Sequence, residues 1–170
     1  MKKENITKKV LSVIEEILSA GGDIFYPYKS IPNLFDVATN KLSKAVYNLK
    51  KHGFLVEIEN KNRKQLKLTT KGSIRLIKPN INNHWDGYWR IIAFDIPEKY
   101  AKSRRVFRSK LSELNCKPIQ KSVWISPDDI AINIEKLINL LHLQGEVNYF
   151  ICKALNDENK FRRLFNIDKD

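Results

Sequence analysis

The stretch Tyr88-Trp-Arg-Ile-Ile-Ala-Phe-Asp-Ile-Pro97 has the apolar composition of a buried β-strand, and a carboxylate, Asp95, follows its apolar core. A basic segment that contains Arg104 and Arg105 comes directly after it. An acidic residue at the end of a strand, with arginines close by, is typical of a phosphate site or of part of a metal site. The stretch therefore raises two functions, DNA cleavage and DNA-linked regulation.

The segments around this stretch predict the fold of the second half of the chain. Their order is strand, helix, strand, strand, helix, strand, which is the βαββαβ order of the ferredoxin-like fold. The predicted bounds are 89–96, 98–115, 117–120, 122–126, 128–143 and 146–155. Ile132 is placed on the apolar face of the second helix. Beyond residue 155 the chain is mostly charged, and Phe161, Leu164 and Phe165 either dock as a short helix or pair with a partner subunit.

The first half changes from helical to strand periodicity. Apolar spacing predicts helices over residues 6–19 and 39–52, with a helical turn near 30–35. Residues 54–59 and 65–68 alternate as strands, with Val56 and Ile58 matched by Leu66 and Leu68, and Asn60–Lys64 forms the hairpin tip. A short helix over residues 69–77 follows. Helix, turn, helix and basic hairpin is the order of a winged helix.

The predicted fold class is therefore α+β, a winged helix-turn-helix followed by a ferredoxin-like domain. The winged helix takes residues 1–80 and a linker takes residues 81–86. The ferredoxin-like dimerisation domain takes residues 87–155, and residues 156–170 form a C-terminal tail.

Charge favours a polyanionic partner and is concentrated in the first half. Residues 1–82 hold 16 Lys and Arg against 7 Asp and Glu, a net charge of +9; residues 83–170 hold 15 against 12, a net charge of +3, giving +12 in total. Such an excess is typical of proteins that bind nucleic acid or an anionic surface. No apolar run is long enough to span a bilayer, and no apolar signal core follows Met1, so we expect a cytoplasmic protein and no membrane partner.

The second predicted helix is the candidate recognition helix for double-stranded DNA. The short polar residues Thr39 and Asn40 suit base edges, whereas Lys41, Lys44 and Lys51 suit phosphates. A lysine-rich helix face is often merely solvated, but Lys61, Arg63 and Lys64 add a second positive element where a wing would touch DNA. Arg104 and Arg105 either form a second DNA surface or are solvated.

Asp95 has two interpretations. As a catalytic and metal-binding residue it would need further ligands, and no second acid stands at a suitable spacing, although a two-fold axis can bring two copies of Asp95 together. As a structural residue it would cap the following helix and neutralise Arg104 or Arg105. Enzymatic activity is therefore undecided. No cofactor is expected, and Mg²⁺ or Mn²⁺ is required only if the chain is an endonuclease.

The cysteines and tryptophans favour structural roles. Cys116 and Cys152 share no short spacing that suits a zinc site or a disulfide framework, so we expect core thiols in a reduced protein. Trp85, Trp89 and Trp124 could stack on bases, but aromatic residues in and near strands are more often core.

Three segments together resemble a known family: Trp89–Pro97, the pair Arg104-Arg105, and Pro118-Ile-Gln-Lys-Ser-Val-Trp124. They resemble the central domain of PaaX-type transcriptional repressors and are similar to the small CRISPR-associated adaptation proteins that share this domain. The resemblance implies a cytoplasmic homodimer built through ferredoxin-like domains. In the CRISPR-associated relatives, the aspartate at the position of Asp95 is assigned to a metal-dependent nuclease site at the dimer interface.

The order with the winged helix first looks like the PaaX arrangement. The C-terminal domain that those repressors usually carry is not expected here, so their acyl-CoA effector is not carried over and the effector is unknown. We therefore predict a homodimeric DNA-binding transcriptional regulator, a repressor. The alternatives are a metal-dependent nuclease or CRISPR adaptation factor that uses Asp95 at the dimer interface, and a non-catalytic scaffold on DNA.

Overall fold

The computed structural model of the chain describes residues 6–20, 24–25, 39–60, 62–79 and 85–167. It separates into two compact units, Met1–Ile77 and Lys78–Asp170. Both mix helices with an antiparallel sheet, so the chain is α+β. The predicted helical turn near residues 30–35, the linker residues 81–84 and Lys61 lie outside the described residues.

In the described part of the first unit, three helices pack against a small sheet. Its strands pair in the order β1-β3-β2. The core is formed by apolar residues that recur at helical spacing on the first two helices, together with Ile24 and Leu66 from the sheet. The elements are α1 (Ile6–Ser19), β1 (Ile24–Phe25), α2 (Thr39–Lys51), β2 (Leu55–Asn60), β3 (Arg63–Leu68) and α3 (Thr70–Leu76).

The hairpin between β2 and β3 is tighter than the sequence predicts. Asn60 is the last residue of β2 and pairs with Arg63, so Arg63 and Lys64 belong to β3 rather than to the tip. Asn62 adopts a φ of 58°, a left-handed conformation that asparagine tolerates and that two-residue hairpins require. The predicted tip over Asn60–Lys64 is therefore wrong at both ends.

The face of β2 that turns inward also differs from the prediction. Leu55 pairs with Leu68 and Glu57 pairs with Leu66, so these four side chains share one face of the sheet, and Leu55 and Leu66 are buried there. Val56 is exposed on the other face. The alternation of β2 is therefore out of phase with the prediction by one residue. An acid, Glu57, lies opposite Leu66 on the inward face, where the sequence predicts Val56 or Ile58.

Thr69 and Gly72 join the end of α2 to the start of α3. The Thr69 hydroxyl donates to the carbonyl of Gly53 at 2.6 Å and accepts from the Gly72 N–H at 3.0 Å, which caps α3. A Cβ on Gly72 would lie 2.1 Å from the carbonyl oxygen of Phe54, so only glycine permits this approach. These contacts therefore hold together the two ends of the β2–β3 hairpin, just before β2 and just after β3.

The second unit is a four-stranded antiparallel sheet in the order β5-β6-β4-β7. Its elements are β4 (Trp89–Phe94), a 3₁₀ turn (Glu98–Tyr100), α4 (Ala101–Glu113), β5 (Lys117–Gln120), β6 (Val123–Ser126), α5 (Ala131–Leu141), β7 (Val147–Cys152) and α6 (Glu158–Leu164). Phe94 of β4 meets Phe107 of α4 edge to face, with ring centroids 5.4 Å apart, so α4 covers the face of the sheet to which Phe94 points.

The helices of this unit are shorter than predicted. In α5 the buried residues Ile134 and Leu137 continue a stripe that begins at Ile130, just before the helix. Ile132 lies off this stripe and is 67% exposed, so its predicted place on the apolar face is wrong.

The tail docks on its own sheet as the short helix α6. The Trp89 ring lies 6.1 Å from the Phe161 ring and 5.9 Å from the Phe165 ring, and Trp85 packs against Trp89 at 4.9 Å. Arg162 stacks over Trp85 at 4.4 Å. Because Trp89 is fully buried, as Trp124 nearly is, these rings are core rather than a base-stacking platform.

An ion pair between buried Arg90 and half-exposed Asp86 holds the segment that leads into β4. Arg90 is 4% exposed, and its guanidinium donates to both carboxylate oxygens of Asp86 and to the carbonyls of Tyr88 and Pro127. The hydrogen bond from Arg90 lowers the pKa of Asp86 and raises that of Arg90.

Across the described part of the chain, no helix has both the length and the apolar character to cross a membrane.

Candidate functional site

One face of α2 is exposed and carries cations around an aromatic ring. Lys44, Tyr47 and Lys51 recur at spacings of three and four, so they share a face. Tyr47 is 63% exposed, whereas Val46 and Leu49 are buried in the core. The outward face of α2 is therefore without a partner in the part of the chain that the structure describes, whereas its opposite face is fixed in the core.

The predicted recognition residues are only partly within the described structure. Thr39, Asn40 and Lys41 are the first residues of α2, but their side chains are not described. Tyr47 is not among the predicted DNA contacts, which are all polar or charged residues. The signal that would have found it is an aromatic residue at the helical spacing that joins Lys44 to Lys51.

The hairpin is tied to α2 through the inward acid of β2. Lys50 Nζ lies 2.9 Å from Glu57 Oε2, and Lys64 Nζ lies 3.6 Å from Glu57 Oε1. Lys64 stays exposed at 67%, and Arg63 beside it is also exposed. Glu57 thus fixes the base of the basic hairpin to the candidate recognition helix and offsets part of the charge of Lys64.

A second candidate site is a cleft of about 300 Å³ where β4 ends. Asp95 is exposed there, and its backbone N–H donates to the carbonyl of Glu146 at 2.9 Å, while that of Phe94 donates to Ser122 at 3.0 Å. These bonds fix the strand end between the β5–β6 turn and the start of β7. The cleft is lined by Phe94, Asp95, Ile96, Glu98, Arg104, Arg108, Lys121 and Ser122.

Asp95 does not cap the helix that follows it. Pro97 precedes the 3₁₀ turn and Tyr100 precedes α4, and no side chain caps either one. Arg104 donates instead to the Ile96 carbonyl at 3.0 Å and to Glu98 at 2.5 Å. The extended Pro97 separates Asp95 from the helix start, so the predicted cap and the predicted pairing with Arg104 are both wrong.

The comparison with known proteins concerns the second unit, which contains this cleft. Residues 82–163 match the family model of the PaaX protein central Cas2-like domain. The second unit belongs to this PaaX-type domain family. The matched residues include the whole cleft and most of α6. No curated protein matches the chain.

The cleft of the PaaX-type domain does not fit a divalent metal within one subunit. Among the described residues, no group of three or more His, Cys, Asp or Glu side chains is arranged to hold a metal ion. In the cleft, Glu98 is paired with Arg104, so Asp95 is the remaining acid beside Arg108 and Lys121. A hard divalent cation prefers several oxygen ligands and no neighbouring cations.

The basic residues on α4 of the PaaX-type domain are not all exposed. Lys110 is buried and forms an ion pair with Glu113 at 2.8 Å. Lys102, Arg105 and Arg108 remain exposed. A separate second DNA surface would therefore depend on these exposed cations.

The two cysteines differ in burial. Cys116 is buried, and burial raises the pKa of its thiol to about 12, so the thiolate is scarce at neutral pH. Cys152 on β7 is half-buried and free.

Proposed function

We propose that the chain is a DNA-binding transcriptional regulator, a repressor, that acts as a homodimer. The observation that carries this proposal is the outward face of α2, where Lys44, Tyr47 and Lys51 are exposed and have no partner among the described residues, while the opposite face is fixed in the core. Groups of this kind suit base edges and phosphates in a major groove. The match to the PaaX-type domain supports a regulator.

The first unit is proposed to be a winged helix. Support comes from its element order and from the basic hairpin that Glu57 ties to α2. In this arrangement α2 enters the major groove, and Arg63 and Lys64 meet the backbone beside it. Thr39, Asn40, Lys41 and Lys61 remain proposed DNA contacts on sequence grounds.

The second unit is proposed to be a ferredoxin-like dimerisation domain. Its strand order β5-β6-β4-β7 supports the fold name. A second copy of the chain is favoured as the partner because Phe150 is 50% exposed on β7, which pairs only with β4 among the described strands. Ile91 opposes Phe150 on the sheet face away from α4 and is half-buried. Apolar groups at an open sheet edge suit association.

The test measures duplex DNA binding by fluorescence anisotropy, with a sequence first selected from a random pool. Replacing Lys44 and Lys51 together by Ala should weaken binding at least tenfold at low salt. It should also reduce the slope of log K against log salt by about 2 for each bound copy, because each phosphate contact releases about one counterion.

Lys136→Ala is the matched control, since Lys136 is an exposed helical lysine of the second unit. Unchanged affinity and slope in the double variant would remove α2 as the recognition helix. Absence of any binding by the intact chain would remove the proposed function.

A further inference from the structure

Two cations of the cleft at the end of β4 have no ion-pair partner among the described residues. Arg108 on α4 and Lys121 in the β5–β6 turn are both exposed and line the cleft. Among the described residues, neither side chain forms an ion pair or donates a hydrogen bond, in contrast to Arg104, which contacts both Glu98 and Ile96. Arg108 and Lys121 therefore present their donors to a ligand.

The charge balance of the cleft favours an anion. Glu98 and Arg104 offset each other at 2.5 Å, which leaves the two free cations against the single carboxylate of Asp95. Guanidinium and ammonium groups bind phosphate oxygens through charge-assisted hydrogen bonds. A divalent cation in the same place would face two like charges.

Asp95 narrows the class of anion. An ionised carboxylate only accepts hydrogen bonds, so a ligand that satisfies it must carry a donor such as a hydroxyl beside its phosphate. A volume of about 300 Å³ is at the small end of ligand sites and suits a compact molecule. The backbone bonds of Phe94 and Asp95 to Ser122 and Glu146 hold the strand end in place before any ligand arrives.

We propose that this cleft binds a small sugar phosphate. Arg108 and Lys121 hold the phosphate oxygens, and Asp95 accepts a hydrogen bond from a sugar hydroxyl. The site lies entirely within the PaaX-type domain and is distinct from the α2 surface, so it does not depend on the proposed DNA binding.

The experiment titrates the intact chain with ribose 5-phosphate in chloride buffer free of divalent metal, followed by two-dimensional amide NMR. We expect saturable shifts at the cleft residues. Arg108→Ala and Lys121→Ala should each weaken binding at least tenfold. Arg105→Ala is the matched control, because Arg105 is exposed on the same helix but does not line the cleft, and it should bind like the unaltered chain.

A second arm separates the roles of phosphate and hydroxyl. Ribose alone should not bind, and inorganic phosphate should bind more weakly than ribose 5-phosphate. Asp95→Asn should strengthen the binding of inorganic phosphate, because it removes a negative charge from the cleft.

The proposal is overturned by absence of binding at millimolar ribose 5-phosphate, by an equal loss in Arg105→Ala, or by binding that requires Mg²⁺. Loss of phosphate binding in Asp95→Asn would also overturn it, since that result is expected of a metal-bridged site. Displacement of ribose 5-phosphate by short duplex DNA at matched phosphate concentration would assign the cleft to DNA instead.

Discussion

Under the proposed function, one exposed side chain, Tyr47, would distinguish selective from general DNA binding. It stands between Lys44 and Lys51 on the outward face of α2, so its ring would contact base edges while the lysines would contact phosphates. Apolar contacts in the major groove discriminate between bases but release no counterions. Tyr47 is therefore a candidate for specificity and the lysines for general affinity.

For Tyr47→Ala we expect about tenfold weaker binding to a selected sequence and little change on random duplex, consistent with about 1–3 kcal/mol per base contact. The salt slope should stay constant. Anisotropy titrations on both duplexes at several salt concentrations provide the measurement. Tyr47→Phe keeps the ring and serves as the control. Equal losses on both duplexes would assign Tyr47 to backbone contact.

The Asp86–Arg90 pair predicts a pH-dependent contribution to stability. Because Arg90 lowers the pKa of Asp86 from its usual 3.8, the contribution is fully present above that value and is lost as the pH falls through the lowered pKa. Asp86→Asn should reduce the free energy of unfolding by about 1 kcal/mol at pH 7, less than the about 1.5–3 kcal/mol of a buried hydrogen bond to a charged group, because Asp86 is half-exposed and solvent screens its charge.

Urea unfolding across a pH series would measure this difference. It should shrink as the pH falls below the usual 3.8 and through the lowered pKa of Asp86, because Asp86 then becomes protonated in the folded state as well. Asp157→Asn is the control, since Asp157 is exposed and no charged partner lies beside it among the described residues. A difference that stays constant with pH would contradict the ion-pair account.

At the scale of elements, periodicity was sufficient for most of the helices and strands. The bounds of α2, Thr39–Lys51, differ from the prediction by one residue, because apolar and charged positions separate clearly on its two faces. The order of elements in the second half follows the prediction as well. What the sequence could not provide were features decided by tertiary partners.

The phase of β2 is one such feature. Leu55, Val56 and Ile58 make both faces of the strand partly apolar, so alternation alone cannot choose between them. Lys50 of α2 and Lys64 of β3 both form ion pairs with Glu57, and these pairs stabilise an acid on the inward face of β2. The cleft is another feature that tertiary structure decides, because Lys121, which lines it together with Asp95, comes from the β5–β6 turn, far from Asp95 in the sequence.

The docking of α6 leads to a prediction about the second unit. Phe165 packs on the buried ring of Trp89, so Phe165→Ala should lower the free energy of unfolding by about 2–3 kcal/mol, somewhat less than for a fully buried ring because Phe165 is only half-buried. Tryptophan fluorescence during urea unfolding would report it, and Leu164→Ala on the exposed side of the same helix is the control. Equal stability of the two variants would show that α6 contributes little.

At the scale of the whole molecule, dimerisation would give each complex two copies of α2. Phe150→Glu places a charge on the exposed apolar group of the edge strand β7 and should shift the chain from dimer to monomer in light scattering. DNA affinity should then fall more than tenfold, since one recognition helix is lost from each complex. Asn148→Glu is the control, because Asn148 is an exposed polar residue on the same strand.

A dimer that persists in Phe150→Glu would place the interface elsewhere. A monomeric unaltered chain would remove the homodimer from the proposed function. Either outcome leaves the sugar-phosphate proposal intact, because that cleft is formed within one chain.

The contrast between the two thiols has a practical consequence for spectroscopy. With only two cysteines in the chain, and with Cys116 sealed in the core at a pKa of about 12, a maleimide probe at neutral pH should attach selectively to Cys152. A nitroxide label there would sit two residues from Phe150 on β7. Pulsed electron paramagnetic resonance could then measure the distance between two labelled chains without engineering a new attachment point.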